Sequence, residues 1–293
     1  MNYKITVFTP TYNRKHTLTN LYNDLLSQSF KDFEWVIVDD GSNDMTSDLV
    51  ESWVKEKKLP INYIKKENGG KHTAINAGVR RAKGELFFIV DSDDRLYKES
   101  LKNIYEEWIE NKCSEIQGIV GLCIDEHNNI IGTSMPKDVK EVYFSELYTK
   151  YNVKGDKALL FTTNVMKEFP FPEEEGIKFI MEEVVWTNIS KKYKVLCLNK
   201  PLMIREYLED GLTKSNLNEG IAKGQALSYI YLINQKCYTI NENPKLFIKK
   251  YINLSRFSLI GKVNYFKKIN KFEDRLMYII LFPIGYLMYL KNR

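Results

Sequence analysis

The segment Leu86-Phe-Phe-Ile-Val90, followed directly by Asp91-Ser92-Asp93-Asp94, is the part of the sequence that says most about the fold. A strand that is apolar at every position is buried on both faces, so its carboxylates emerge together at its carboxyl end. Several like charges in one place need a cation. Carboxylate oxygens suit hard divalent ions such as Mg²⁺ or Mn²⁺, usually held together with the phosphates of a substrate. The alternative interpretation is a solvated Asp-rich turn.

A second strand of the same kind supplies the structural context. The apolar run 34–38 leads into Asp39, Asp40, Gly41 and Ser42. In open α/β sheets the ligand crevice lies outside the carboxyl ends of the strands. Both acidic clusters are therefore expected to face that crevice, which favours a binding site over a solvated turn.

Strand and helix periodicities alternate over the first third of the chain. Strand patterns cover residues 3–8, 34–38, 61–64 and 86–90, and apolar residues at helical spacing lie between them. This alternation predicts an α/β fold with a mostly parallel sheet, right-handed crossovers and flanking helices.

The composition fits an enzyme with a full hydrophobic core. The 293 residues are 44% hydrophobic and 28% charged, which excludes a mainly disordered chain. The four cysteines are widely spaced and show no zinc-ligand pattern, which indicates buried thiols in a reducing compartment. Since the first strand begins almost at Met1, without a signal-peptide pattern, we expect a cytoplasmic protein.

Two common nucleotide motifs are missing. A dinucleotide fingerprint would need Gly-x-Gly-x-x-Gly where the chain has Thr-Pro-Thr-Tyr-Asn-Arg at 9–14. Residues 68–73 imitate a phosphate loop, but His72 stands where Ser or Thr is required, and Lys65 replaces the first glycine. Hydride transfer and P-loop chemistry are both disfavoured.

Four sequence blocks together resemble the family 2 glycosyltransferases with the GT-A fold. The blocks are Thr-Pro-Thr-Tyr-Asn-Arg at 9–14, Val-Asp-Asp-Gly-Ser at 38–42, Asn-Gly-Gly-Lys at 68–71, with Asn76 and Gly78, and Asp-Ser-Asp-Asp at 91–94. Their order and spacing match over roughly the first 110 residues. The resemblance implies an inverting hexosyl- or N-acetylhexosaminyltransferase of bacterial surface-polysaccharide synthesis, with a UDP-sugar as the default donor.

The resemblance also implies roles for single residues of the donor half. The nucleobase would lie against Thr9, Pro10, Thr11 and Tyr12, and Asp40 would contact the base. Asp91 and Asp93 would bind the metal, Mn²⁺ or Mg²⁺, and the ribose or diphosphate. The remaining donor-binding positions are Arg14, Gly70, Lys71 and Ser92. These roles are chemically reasonable, because a carboxylate can accept the imide hydrogen of uracil and a divalent ion neutralises the leaving diphosphate.

Two of these positions have a second interpretation. Asp94 is either a further metal ligand or a cap of the following helix. Lys71 is either a contact of the diphosphate or a surface lysine. Gly69 and Gly70 permit a tight loop close to a ligand.

A general base is expected from the second half of the chain. The segment Met-Glu-Glu-Val-Val-Trp at 181–186 resembles the Glu-Asp motif that starts a helix in the family, with Glu in place of the usual Asp. By position Glu183 matches the base, and Glu182 is the alternate. Some relatives add a His ligand to the metal near residue 210. Asp210 could replace that ligand, although a turn role is the alternative.

The C-terminal part differs from the rest in charge. From Lys245 to Arg293 there are 11 Lys and Arg against Glu273 and Asp274, a net charge of +9. The apolar run Leu276–Leu290 has 15 residues, fewer than the ~20 that a spanning helix needs. It predicts an interfacial anchor beside a basic patch, or else a helix packed on the protein's own core.

These features predict a chain of two parts. Residues 1–215 would form the GT-A catalytic domain, with a nucleotide-sugar half at 1–110 and an acceptor half at 111–215, and residues 216–293 a helical extension. The expected partners are a nucleotide-sugar and a glycan or lipid-linked acceptor, reached from the inner face of the cell membrane, with no nucleic acid. The alternative function is a noncatalytic protein that binds a sugar nucleotide or assembles a polysaccharide synthesis complex.

Overall fold

A computed structural model describes residues 3–205 and 217–291. The chain divides into two compact units. The sheet unit comprises Met1–Pro170 and Ile189–Gly211, and the helical unit comprises Phe171–Asn188 and Leu212–Arg293. Residues 171–188, which the sequence analysis counted in the acceptor half, thus group with the C-terminal helices. The division into functional halves stays a prediction.

The sheet unit alternates strands and helices, as the periodicity predicts. Its strands are β1 (Tyr3–Thr11), β2 (Phe33–Asp39), β3 (Ile61–Lys65), β4 (Gly84–Ile89), β5 (Asp94–Leu96), β6 (Ile116–Ile124), β7 (Glu141–Val142), β8 (Lys157–Thr162) and β9 (Lys194–Arg205). Its helices are α1 (Lys15–Ser27), α2 (Thr46–Glu56), α3 (Lys71–Arg81), α4 (Ser100–Asn111), α5 (Phe144–Thr149) and α6 (Thr163–Glu168).

The strands form one mixed sheet in the order β3-β2-β1-β4-β8-β6-β9-β5, with β7 paired to β9. The pairs among β1 to β4 are parallel, and β6 is parallel to β9. Strand β8 is antiparallel to both β4 and β6. The parallel half is the part with strict strand–helix alternation, because a parallel pair needs a crossover connection.

Register brings three predicted site segments to one edge of the sheet. Thr11 at the end of β1 pairs with Asp39 at the end of β2. Phe8 pairs with Ile89, and the amide of Val90 donates to the Phe8 carbonyl at 2.9 Å. The chain therefore leaves β1, β2 and β4 on the same side, immediately before the polar blocks.

The helical unit has its own apolar core. Its helices are α7 (Glu183–Ile189, whose last residue lies in the sheet unit), α8 (Glu219–Asn234), α9 (Pro244–Ile260) and α10 (Phe272–Leu290). The core includes Ala222, Ile230, Tyr251 and Leu254. Helix α10 runs continuously through Pro283, and among the described residues no helix has both the length and the apolarity to cross a bilayer.

Candidate active site

The end of β1 carries the predicted nucleobase residues. Residues 9–11 are buried, whereas Tyr12 is 46% exposed. The chain then turns at Asn13, which has a φ of 53°, and the Asn13 amide donates to Ser42 Oγ at 2.8 Å. This turn holds the loop after β1 beside the loop after β2 and leaves the Tyr12 ring open to a ligand.

Asp40 is engaged by the loop that follows β3. Its Oδ1 accepts from Lys66 Nζ at 2.6 Å and from the Gly69 amide at 2.9 Å. Its Oδ2 accepts from the Gly70 amide at 2.7 Å and from Asn68 Nδ2 at 3.3 Å. Gly70 has a φ of 94°, a conformation that favours glycine. Asp40 therefore fixes the shape of this loop, and its contact with a nucleobase stays a prediction.

Lys71 lies inside the site and forms an ion pair. Its Nζ is 2.7 Å from Asp91 Oδ1 and 2.8 Å from Asp91 Oδ2. Burial raises the pKa of Asp91, but the Lys71 ammonium and the Arg205 guanidinium outweigh burial and leave the pKa below its usual value. The interpretation of Lys71 as a plain surface lysine does not fit this geometry.

The other two acids of the cluster resist ionisation. Burial and the neighbouring Asp91 charge raise the pKa of Asp93, against the smaller effects of Arg14 and Lys71. Burial also raises the pKa of Asp94 to about 8, although Arg205 opposes it. Ionisation of all three carboxylates therefore needs more positive charge than the neighbouring Lys and Arg side chains supply.

Asp94 does not cap a helix. It lies in β5, with its Oδ2 3.4 Å from Arg205 Nη1, while α4 begins only at Ser100. The cap interpretation is therefore excluded. Ser92 is buried between Asp91 and Asp93.

The donor set of the cluster suits a divalent ion. Its three side chains offer only carboxylate oxygens, and Asp94 Oδ2 is buried without a hydrogen bond to any described residue. Within 3–205 and 217–291, no group of three or more acid, His or Cys residues is arranged to hold an ion alone. An ion at these carboxylates would need further ligands, such as the oxygens of a bound diphosphate. Asp210, the suggested further ligand, lies outside the described residues.

The two candidate bases belong to the helical unit. Glu183 is the first residue of α7, as the motif predicts, and its Oε1 accepts a hydrogen bond from the Tyr238 hydroxyl at 2.5 Å. Glu182 Oε2 accepts from Trp186 Nε1 at 3.2 Å. The two adjacent carboxylates are therefore held by different partners.

A buried lysine fixes the tyrosine that holds Glu183. Tyr238 has a φ of 56°, which a non-glycine residue rarely adopts. The Lys250 ammonium is buried and donates to the carbonyl of Cys237 at 2.9 Å and to that of Tyr238 at 3.3 Å. Burial and the Glu183 charge raise the pKa of Tyr238, so its hydroxyl stays a donor.

Sequence reasoning missed three of these residues. Lys66 forms an ion pair with Asp40, and Arg205 forms one with Asp94. The Tyr238 hydroxyl donates a hydrogen bond to Glu183. No local pattern marks them, since their partners lie far away in the chain.

The comparison with protein families matches one family model, described as Glycosyl transferase family 2, to residues 6–166. This range extends from β1 into α6 and contains all four sequence blocks of the donor half. It covers more than half of the chain.

Two curated proteins illustrate the sequence relationship. The poly(ribitol-phosphate) beta-N-acetylglucosaminyltransferase TarS of Staphylococcus aureus is 38% identical over 102 residues, which cover 34% of this chain and 18% of TarS. The GalNAc(5)-diNAcBac-PP-undecaprenol beta-1,3-glucosyltransferase of Campylobacter jejuni is 27% identical over 221 residues, which cover 72% of this chain and 67% of that protein. The aligned part of TarS is thus under a fifth of its length.

A solved structure resembles the whole chain. The crystal structure of S. aureus TarS 1-349 in complex with UDP-GlcNAc has a TM-score of 0.61 and covers 95% of this chain and 79% of that one. The sequence identity is 23%, so this likeness concerns the fold.

Proposed function

Because this chain belongs to glycosyl transferase family 2, we propose that it moves a sugar from a nucleotide donor to a glycan or lipid-linked acceptor of a cell-surface polysaccharide. The GT-A fold expected from the sequence is confirmed by the likeness to TarS. One observation carries the proposal: the polar blocks after β1, β2 and β4 leave the sheet at one edge, where Lys71 and the Asp91 cluster meet. Such an edge is where open α/β sheets bind ligands.

The donor is a UDP-sugar in this proposal. The exposed Tyr12 ring and the buried residues 9–11 form the part of the site that binds the nucleobase. Asp40 holds the loop that follows β3 through the Gly70 amide. Arg14 and Lys71 supply positive charge, and Gly70 and Ser92 line the diphosphate side. A hexosyl- or N-acetylhexosaminyl donor is supported by the similarity to TarS, an N-acetylglucosaminyltransferase whose structure contains UDP-GlcNAc.

Asp93 and Asp91 hold a divalent ion, Mn²⁺ or Mg²⁺, with Asp94 as a further ligand. When bound, the ion neutralises charge that develops on the leaving diphosphate. The raised pKa values of Asp93 and Asp94 support this assignment, since these carboxylates need an added cation to ionise. Lys71 keeps Asp91 ionised before the donor arrives.

The transfer inverts the anomeric centre. The acceptor oxygen forms the new bond to the anomeric carbon, the bond from that carbon to the diphosphate oxygen breaks, and the diphosphate leaves with the electron pair. The acceptor proton passes to the carboxylate of Glu183, with Glu182 as the alternate base. Tyr238 supports this choice because it fixes one oxygen of Glu183 and leaves the other to accept.

The acceptor is a glycan or a lipid-linked glycan, and the protein works at the inner face of the cell membrane. A lipid-linked acceptor is supported by the Campylobacter relative, a GalNAc(5)-diNAcBac-PP-undecaprenol glucosyltransferase, 67% of which is covered by this chain. The net charge of +9 over residues 245–293 supports a position next to anionic lipid.

The release of UDP from candidate UDP-sugars tests this function, since water can replace the acceptor. We expect release with Mn²⁺ that falls about a hundredfold in Asp93→Asn, whereas Asp138→Asn, a change at an exposed acid of the same unit, keeps the rate. Release that is unchanged in Asp93→Asn would contradict the metal role. Binding of UDP without turnover of any UDP-sugar would favour the noncatalytic alternative.

A further inference from the structure

Helix α10 exposes an almost continuous apolar face. Six residues of this face are between 44% and 77% exposed: Phe272, Leu276, Ile279, Ile280, Leu287 and Leu290. At 100° per residue they fall on one side of the helix. Contiguous apolar surface of this kind marks an interaction site, because a soluble monomer normally covers it.

The orientation of this face is fixed by the opposite side of the helix. Leu281 is buried in the core of the helical unit, and a Cβ on Gly285 would lie 2.5 Å from Ser255 Cβ of α9. The Asp274 carboxylate accepts from the Tyr251 hydroxyl of α9 at 2.5 Å. The helix therefore cannot rotate its apolar residues inward without breaking these contacts.

Positive charge surrounds the exposed face. Lys267, Lys271 and Lys291 are exposed at the two ends of α10. The ammonium of Lys236 lies close enough to lower the pKa of Lys271, against the smaller effects of Glu273 and Asp274. An anion near these two lysines is favoured, because an opposite charge stabilises the charged form of each.

An anionic lipid surface matches both properties. We propose that α10 lies in the plane of such a bilayer, with Leu276, Ile280 and Leu287 among the acyl chains and Lys236 and Lys271 at the headgroup phosphates. A helix with one apolar face and basic ends binds at this depth without crossing. The core of a protein–protein interface is instead depleted in lysine. This inference rests on the membrane location proposed above and names the residues that would contact the membrane there.

Sedimentation with vesicles tests the apolar part. We expect the full chain to bind vesicles that contain phosphatidylglycerol and to bind vesicles of phosphatidylcholine alone much more weakly. The double change Ile280→Ser and Leu287→Ser should weaken binding by roughly a hundredfold, about tenfold for each side chain. Ile240→Ser, at a residue that is 55% exposed in the same unit, is the matched control and should bind like the wild type.

The charged part has a separate test. The pair Lys236→Gln and Lys271→Gln should weaken binding to the anionic vesicles by roughly twenty-five-fold, about fivefold for each lysine. The matched pair Lys55→Gln and Lys83→Gln removes two exposed lysines of the sheet unit and should have no effect. Added salt should weaken binding of the wild type.

Several results would overturn the proposal. One is equal binding of the wild type and the serine variant. Another is no vesicle binding by a chain whose thermal unfolding is normal. If the wild type is a dimer by sedimentation and the serine variant a monomer, while neither binds vesicles, then the face joins two copies of the chain. Vesicle binding needs no nucleotide, so its failure leaves the transferase proposal untouched.

Discussion

At the scale of single residues, Asp40 accepts hydrogen bonds from four residues of one loop. The donors are the side chains of Lys66 and Asn68 and the backbone amides of Gly69 and Gly70. A carboxylate with this many donors is held in one position. It stabilises the loop that presents Gly70 and Lys71.

The first prediction concerns this carboxylate. Asp40→Asn removes the charge and points an NH₂ group at donors, so we expect the free energy of unfolding to fall by about 2–3 kcal/mol. Urea unfolding measures the change. Asp138→Asn, at an exposed acid, is the control and should stay within about 0.5 kcal/mol of the wild type. Equal stability of the two variants would show that the loop does not depend on Asp40.

The second prediction concerns Tyr238. Tyr238→Phe leaves the Glu183 carboxylate without its donor, so we expect the rate of UDP release to fall about tenfold while UDP binds as before. Tyr231→Phe removes a similar bond, from a tyrosine of the same unit to Glu174 at 3.2 Å, and should keep the rate. If the two variants lose activity equally, the effect is one of stability and not of positioning.

The sequence predicted the kinds of residue at the site but not their partners. The Asp91 cluster follows an apolar run and the glutamate pair lies at the start of a helix, so local patterns mark both. Lys66 is 26 residues from Asp40, and Tyr238 is 55 residues from Glu183. Such pairs depend on the tertiary fold, which periodicity does not reveal.

At the scale of elements, Gly78 lets α3 approach β1. A Cβ at this position would lie 2.1 Å from the ring of Phe8, which is fully buried. The ring cannot move aside without disturbing the core, because protein interiors are close-packed. The strand and helix that carry residues 9–11 and Lys71 depend on this approach.

The third prediction follows from that contact. Gly78→Ala should lower the free energy of unfolding by about 1–3 kcal/mol through overpacking. Gly220 of α8 is the matched control, since its nearest neighbour is 3.4 Å from an added Cβ. There Gly220→Ala should be neutral or should stabilise by up to about 1 kcal/mol through helix propensity. An opposite ranking in thermal unfolding would contradict the packing argument.

The alternation predicted β1 to β4 close to their observed bounds and a helix after each of the first three strands. It could not predict that β8 inserts between β4 and β6 in antiparallel orientation. Strand order beyond the first crossovers depends on long-range pairing, for which a single sequence contains no periodic signal.

At the scale of the whole molecule, the helical unit includes the segment that carries Glu183. The Met181 amide donates to Ser228 Oγ of α8 at 3.0 Å, and a Cβ on Gly224 of α8 would lie 1.9 Å from the Phe179 carbonyl oxygen. The segment 171–188 therefore depends on helices that follow residue 215.

The fourth prediction is that a chain truncated after residue 215 still binds the donor but turns it over slowly. The donor residues of the sheet unit remain, so UDP should bind with an affinity within about threefold of the wild type. The release of UDP should fall by about a hundredfold, because Glu183 loses Tyr238 and its segment loses α8. Release at the wild-type rate would contradict the placement of the base.

The charge distribution of the chain predicted an unusual C-terminal part, but it did not predict which residues of that part are exposed. Composition marked the basic and apolar residues of 245–293. The interpretation as a helix packed on the protein's own core describes the side of α10 that carries Leu281, and the interfacial anchor stays a proposal for the other side. Leu281 packs on the core, whereas Leu287 is exposed. Which residues lie on which side depends on the packing against α9, and the sequence does not settle that.

The most direct measurement is a calorimetric titration of UDP, GDP and dTDP into the full chain, with and without Mn²⁺, repeated on Asp93→Ala. We expect that only UDP among the three nucleotides binds tightly, that its binding requires Mn²⁺, and that Asp93→Ala abolishes this binding while Asp138→Ala does not. Equal binding of UDP to wild type and Asp93→Ala, or no binding of any nucleotide to the folded chain, would contradict it.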